Sequence, residues 1–192
     1  GSYEQPAVPP ALRYALFQVL SLLTTTDFAT AGFAMWPAFC ALLLVALMFV
    51  GGCGGSTGGG MKNARIVLLL KYAAGQVRRC VFRRSISNIR LNAQRIDVVI
   101  LHKTLTFFFI FVVAFLCISL LLSLLGVDDL ATACSASIAA LSNIGPGLGE
   151  VGPTTTYASM TAPAKLVLSF AMLLGRLELY TVLVFLLPSY YS

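Results

Sequence analysis

Residues Thr104 to Val127, TLTFFFIFVVAFLCISLLLSLLGV, run for 24 positions without a charge. Nothing else in the chain limits its fold as much. As a helix rising about 1.5 Å per residue, such a run reaches about 36 Å, more than the ~30 Å hydrocarbon core of a bilayer. Phe33 to Val50 adds 18 uncharged residues, and Leu166 to Leu187 is similarly apolar apart from Arg176 and Glu178 near its middle. With 58% hydrophobic and 10% charged residues over 192 positions, the composition lies far from that of a soluble domain. None of the runs combines an N-terminal position with the basic flank and small-residue cleavage site of a signal peptide. The expectation is an all-α integral membrane protein with three spanning runs in this chain.

The charges give that protein a direction. Ten of the thirteen lysines and arginines fall between Lys62 and Lys103, against a single acid, Asp97, whereas Glu4, Asp128, Asp129 and Glu150 occupy the opposite connectors. An excess of Lys and Arg marks the cytoplasmic side, so the basic connector at 75–97 and the C-terminus are placed there. A basic run can also bind nucleic acid, but one wedged between spanning segments is read as a topology signal, with no nucleic acid partner. The five cysteines, Cys40, Cys53, Cys80, Cys117 and Cys134, have no metal-like spacing and are expected as reduced thiols. His102 stands alone at a helix start, and no triad or metal constellation accompanies it. The chain is therefore not expected to be an enzyme.

Two similar halves follow one another. Leu12 to Leu23 (LRYALFQVLSLL) and Ala131 to Ser142 (ATACSASIAALS) are short apolar segments of 12 residues. As helices they rise about 18 Å, too little to cross, which suits re-entrant helices. Each leads into a polar, glycine-bearing stretch, TTTDFATAGF at 24–33 and NIGPGLGEVGP at 143–153, and then into a spanning run. Bare backbone at membrane depth is tolerated only where it is buried in protein or lines a water-filled path. Short helix, bare loop and spanning helix, repeated in the same order, make the architecture of an ion pore. Threonine hydroxyls and backbone carbonyls, with Gly145 and Gly147 freeing the backbone around Pro146, can replace the hydration shell of a monovalent cation and still release it.

The stretch from Gly51 to Gly60, GGCGGSTGGG, has glycine at seven of its ten positions and interrupts an apolar crossing just before Lys62. Such a run breaks a helix and leaves a movable, water-accessible loop, with Ser56 and Thr57 offering hydrogen bonds to the freed backbone. Close helix packing needs fewer glycines. A phosphate-cradling loop would end in Gly-Lys-Ser/Thr after a strand, which this one does not.

The motifs SNIGPGLGEVGPTTTYAS, AKLVLSFAMLLGRLELYTVLVFLLPSYY and GGCGGSTGGGMKNARIVLLLK resemble the Trk-type bacterial potassium-uptake channel subunits and their Ktr relatives, over nearly the whole chain. Members of that family fold as four tandem parallel repeats of helix, pore helix, filter loop and helix around one potassium pathway. The resemblance implies that residues 1–74 hold the third-repeat pore helix, filter loop and glycine-interrupted second helix, 75–97 the connector, and 98–192 the complete fourth repeat. It also implies a potassium ion held at Thr25, Thr26, Asp27 and Phe28 and at Asn143, Ile144, Gly145, Pro146 and Gly147, with no covalent cofactor. The loop Gly51, Gly52, Cys53, Gly54, Gly55, Ser56, Thr57, Gly58, Gly59 and Gly60, with Lys62 behind it, would be the gate. Arg176 would line the pore beside it; an ion pair with an acid elsewhere in the complete protein is the alternative.

The implied setting is the bacterial inner membrane, crossed several times. The partners implied are membrane lipid, the first two repeats of the subunit, a second copy in a homodimer and a cytosolic nucleotide-binding (TrkA-like) regulatory ring, for which Lys71 to Arg95 offers a contact surface or, equally, an anionic-lipid surface. One departure stands out. The family's third filter usually reads Thr-Thr-x-Gly-Phe, and here Asp27 takes the glycine's place, with Gly32 further on. Altered selectivity, an outward-turned side chain or a filter shifted to Gly32 would each account for it. Gly54 stands where serine is commoner, and the connector lacks the usual His-Pro. A cation-coupled secondary transporter also uses broken helices, but those often carry inverted repeats, whereas these halves run parallel.

Overall fold

The computed structural model describes residues 10–26, 28–52, 59–81, 90–91, 94–95 and 97–177. Six helices run in order: α1 (Pro10–Thr24), α2 (Ala38–Met48), α3 (Asn63–Val81), α4 (Val98–Leu124), α5 (Leu130–Ser142) and α6 (Ala162–Arg176). The connector between α3 and α4 carries a small antiparallel pairing of Arg90–Leu91 with Gln94–Arg95.

The long uncharged run forms a helix as expected. α4 has 27 residues, starts at Asp97, whose carboxylate accepts the Val99 amide, and is the one described helix long and apolar enough to cross a membrane. The expected span over Phe33–Val50 is corrected. A 3-10 turn at Phe33–Met35 is followed by Trp36 and Pro37 in extended conformation, and helix exists only over the 11 residues of α2, about 16 Å. Proline has no N–H to donate, and its ring pushes the preceding residue out of the helical region, so apolar composition cannot carry a helix through Trp36–Pro37. The third expected run is described as helix to Arg176 and turns at Leu177; its remainder lies outside the described residues. α3 continues to Val81, past residue 75, with Arg78 and Arg79 in its last turn, where cations oppose the negative end of the helix dipole.

The centre of the molecule is α5. Ten of its 13 residues are buried, and most are alanine or serine. Small side chains let α4 and α6 pack closely on both sides, with α2 against a further face. Around it lies a core of Phe33, Leu44, Met48, Phe107, Phe111 and Leu122. Phe49 meets Phe111 edge to face at 6.2 Å. α1 is far less enclosed: only Gln18, Ser21 and Leu22 are buried, and Leu12, Leu16 and Leu20 are exposed on its outward side.

Candidate functional site

Both short helices end in the same way. At the end of α1 the Thr26 amide donates to the Ser21 carbonyl at 3.0 Å and the Thr25 amide to the Leu22 carbonyl at 3.3 Å, with Thr25 in the left-handed region at φ 52°. At the end of α5 the Ile144 amide donates to the Ala139 carbonyl at 2.9 Å and the Asn143 amide to the Ala140 carbonyl at 3.1 Å, with Asn143 at φ 53°. These are paired Schellman closures. Glycine ordinarily fills the left-handed position, asparagine tolerates it, and a β-branched threonine is strained there. Each closure turns the chain sharply from helix into loop. Each helix also presents the negative end of its dipole at that point, worth about half an elementary charge and favourable to a cation.

The loops that follow are held by polar side chains from their own helices. Ser21 Oγ donates to the Phe28 carbonyl at 2.6 Å and Gln18 Nε2 to the Ala31 carbonyl at 2.8 Å. Behind the second loop, Ser135 Oγ accepts the Leu148 amide at 2.8 Å and Thr132 Oγ1 accepts the Glu150 amide at 3.2 Å. Thr132 also donates to the helix-capping Asp129 at 2.5 Å, and this bond, with the backbone amides of Thr132 and Ala131, holds the Asp129 carboxyl below its ordinary range against a small opposing effect of burial. In the second loop Gly145 adopts φ 93°, and its carbonyl accepts the Tyr157 hydroxyl at 2.6 Å. A carbonyl oxygen has two acceptor lone pairs, so the tyrosine fixes its direction and leaves one free. Gly147 is required for space rather than for φ: a Cβ there would lie 2.7 Å from Val151 Cγ2 and 3.0 Å from Ser135 Oγ.

The two loops face one another. An open pocket of about 300 Å³ is lined by Phe28 and Ala29 on one side and by Gly145, Pro146 and Tyr157 on the other. Farther along, Gly152 comes close to Ala34, and Gly32 to Thr154.

The glycine stretch lies against the C-terminal end of α5 through its described returning end. Its entry and exit pair in parallel, Val50 with Met61 and Gly51 with Lys62, and the Asn63 amide donates to the Gly52 carbonyl at 3.2 Å. The chain thus leaves for the loop, returns beside its starting point and continues in the same direction into α3. The returning end is seated on the base of α5: a Cβ on Gly59 would lie 2.5 Å from the Ser142 carbonyl oxygen and 2.9 Å from Asn143 Nδ2. On the far side of the same asparagine, Nδ2 donates to the Met172 carbonyl at 3.1 Å, and Gly175 abuts the Leu141 carbonyl. Arg176 follows directly and is exposed at the end of α6. Behind Lys62, Arg65 lies 4.1 Å from the centre of the Phe107 ring, a cation–π contact joining α3 to α4.

Of the residues singled out from sequence, Thr25, Thr26, Phe28 and Asn143 to Gly147 therefore lie in two apposed loops, Gly51, Gly52, Gly59, Gly60 and Lys62 lie at the two described ends of the glycine stretch, and Arg176 lies exposed at the end of α6. Asp27 and Cys53, Gly54, Gly55, Ser56, Thr57 and Gly58 lie outside the described residues. Sequence reasoning missed Gln18, Ser21, Thr132, Ser135 and Tyr157. The first four had a signal: on each short apolar helix the loop-holding pair is spaced three apart, one helical turn, facing one side.

A family model described as TrkH, cation transport protein, matches residues 2–190. The Trk system potassium uptake protein TrkH of Vibrio parahaemolyticus is 40% identical over 190 residues, covering 99% of this chain and 38% of that protein. The protein of the same description from Escherichia coli K12 is 39% identical over 180 residues, 94% of this chain and 37% of its own. The crystal structure of the potassium transporter TrkH from Vibrio parahaemolyticus superposes with a TM-score of 0.87 at 39% identity, covering 99% of this chain and 40% of that one. The chain thus spans about two fifths of the length of the proteins it matches.

Proposed function

Because the chain belongs to the TrkH family of cation transport proteins, we propose that it supplies the third pore loop, the glycine-interrupted helix and the fourth repeat of a potassium-uptake subunit of the bacterial inner membrane. The observation that carries this reading is the apposition of two loops, each launched from a left-handed helix end, across one pocket. Backbone carbonyls and threonine hydroxyls around that pocket strip and replace the hydration shell of potassium without a full charge to trap it. The carbonyl ends of α1 and α5 add a negative potential at the same place.

Gly51 to Gly60 is the gate in this reading. Its neck is pinned by the parallel pairing with Met61 and Lys62, and its returning end is packed under Asn143. Moving it requires no helix to unfold. Lys62 and Arg176 add positive charge near the cytoplasmic mouth, which opposes cation passage while the loop is seated. Asp27 stands in the third filter segment and brings the only carboxylate in either segment. The complete subunit forms a homodimer on a cytosolic nucleotide-binding ring, with the basic connector as its contact surface.

The test is potassium uptake by the complete subunit in cells lacking other uptake systems. The native form restores growth at low potassium, and Gly147→Val does not. Failure of the native form to restore it, with the protein present in the membrane, overturns the proposal. Asp27→Gly in the same cells reports on the carboxylate: a change in the potassium-to-sodium ratio locates it in the ion path.

A further inference from the structure

Ser142, the last residue of α5, is fully buried, and among the described residues its hydroxyl has no hydrogen-bond partner. Several other helical hydroxyls are satisfied by the carbonyl one turn back, Ser137 donating to Ala133 at 2.7 Å, Thr104 to Ile100 at 2.9 Å and Ser169 to Lys165 at 2.9 Å, while Ser119 in α4 shares the unpartnered state but is not covered by the glycine loop's described residues. Ser142 forgoes this bond. What covers it is the returning end of the glycine loop. A Cβ on Gly60 would lie 3.2 Å from Ser142 Oγ and 3.3 Å from its Cβ, and Gly59 presses on the Ser142 carbonyl. Gly60 itself sits at φ 74°, a conformation that admits glycine and few other residues.

From this we infer that Ser142 is a positioning residue that biases the glycine loop toward displacement. A buried hydroxyl without a partner is destabilising by its full desolvation cost. That cost exists only while Gly59 and Gly60 are seated. When they leave, water reaches the hydroxyl, the cost is relieved, and the freed oxygen joins the carbonyl end of α5 as a ligand for a cation just below the second loop. The seated state is thus held close by glycine-only packing and at the same time weakened at one atom, which leaves the two loop positions nearly balanced. The neighbouring Asn143 does the opposite: its side chain is satisfied by the Met172 carbonyl and fixes the seat's outer wall whichever position the loop takes.

This inference rests on the gating role proposed above for the loop, and the experiment separates the two. Rubidium tracer uptake is measured in proteoliposomes of the complete subunit, in the native loop background and in Gly59→Ala, whose added Cβ cannot coexist with the Ser142 carbonyl and unseats the loop. In the native background Ser142→Ala, which removes the unpaired hydroxyl, is expected to lower uptake about tenfold, and Ser142→Thr, which presses a methyl on Gly60, to raise it. In the Gly59→Ala background both effects shrink to less than about twofold. If Ser142→Ala leaves native uptake unchanged, or lowers it equally in both backgrounds, the inference is overturned and the gating role stands. If Gly59→Ala itself fails to raise uptake, the gating role falls and the inference falls with it. The rise with Ser142→Thr cannot arise from misfolding.

Discussion

The two apposed loops begin alike and, within this chain, are enclosed differently. Both leave a short helix through a left-handed residue, Thr25 in one and Asn143 in the other, and both are tied back by a pair of polar side chains one turn apart. But within this chain, which spans about two fifths of its relatives' length, α5 is packed on several sides and its loop is braced again by Tyr157, whereas α1, the first described helix, buries three residues and Phe28 is 70% exposed. A loop's closure is thus encoded locally, in the last turn of its helix, while its rigidity comes from what surrounds the helix. Among the described residues the second loop carries one further brace, the Tyr157 hydroxyl on the Gly145 carbonyl, and a loop held in this way pays less to order itself on binding.

The largest effect that tests this contrast is at Gly147. Gly147→Val drives a branched side chain into Val151 and Ser135, overpacking that costs about 1–3 kcal/mol, and uptake falls to background. Gly32→Val, in the corresponding glycine-bearing stretch of the first loop, places its Cβ 3.6 Å from Thr154 Cγ2, the one contact among the described residues, and is expected to retain most uptake. Equal loss at both positions would erase the difference in packing.

A smaller effect separates the two helix ends by sign. Thr25→Gly relieves a left-handed β-branched residue and raises thermal stability of the solubilised complete subunit by about 1 kcal/mol. Asn143→Gly loses the hydrogen bond to Met172 and lowers it by about 1 kcal/mol, the bond outweighing the backbone gain. Shifts of the same sign would mean that the two closures are energetically equivalent.

Tyr157→Phe removes one hydroxyl and frees the Gly145 carbonyl. Its expected cost is about 1 kcal/mol, read as a relaxed preference for potassium over sodium in tracer competition, with uptake itself retained. The smallest effect is at Asp129. Its folded carboxyl titrates below the ordinary value of 3.8, so the stabilisation it brings is present above that value and is lost as pH falls through the lower folded one. Asp129→Asn is expected to lower the subunit's stability near neutrality, to leave it unchanged in acid where the native carboxyl is protonated, and so to flatten the acid limb of the stability curve, as followed by thermal melting against pH.

The membrane class, the two short helices, α4 out of the three expected spanning runs and the positions of the loops were legible in the sequence, because each follows from local properties: an uncharged run of sufficient length, a 12-residue apolar segment too short to cross, and a polar, glycine-bearing stretch after it. The family resemblance carried the loop assignments further than composition did. The order of loops and helices along the chain was legible too. The break at Trp36–Pro37 was written in the sequence as well, yet hydropathy concealed it, since proline's effect on the backbone is not a matter of polarity.

Other features depend on residues distant in the chain, and only the tertiary structure decided them. That Gly59 meets Ser142, that Gly175 meets Leu141, that Tyr157 holds Gly145 and that Phe28 shares a pocket with Pro146 are contacts between segments whose separation has no periodicity to read. They arise because α5, made of small residues, lets its neighbours approach until backbone touches backbone. At that distance a single added methyl decides whether the arrangement fits. The amino-acid order determined where the chain turns; the packing around α5 decided which turns meet.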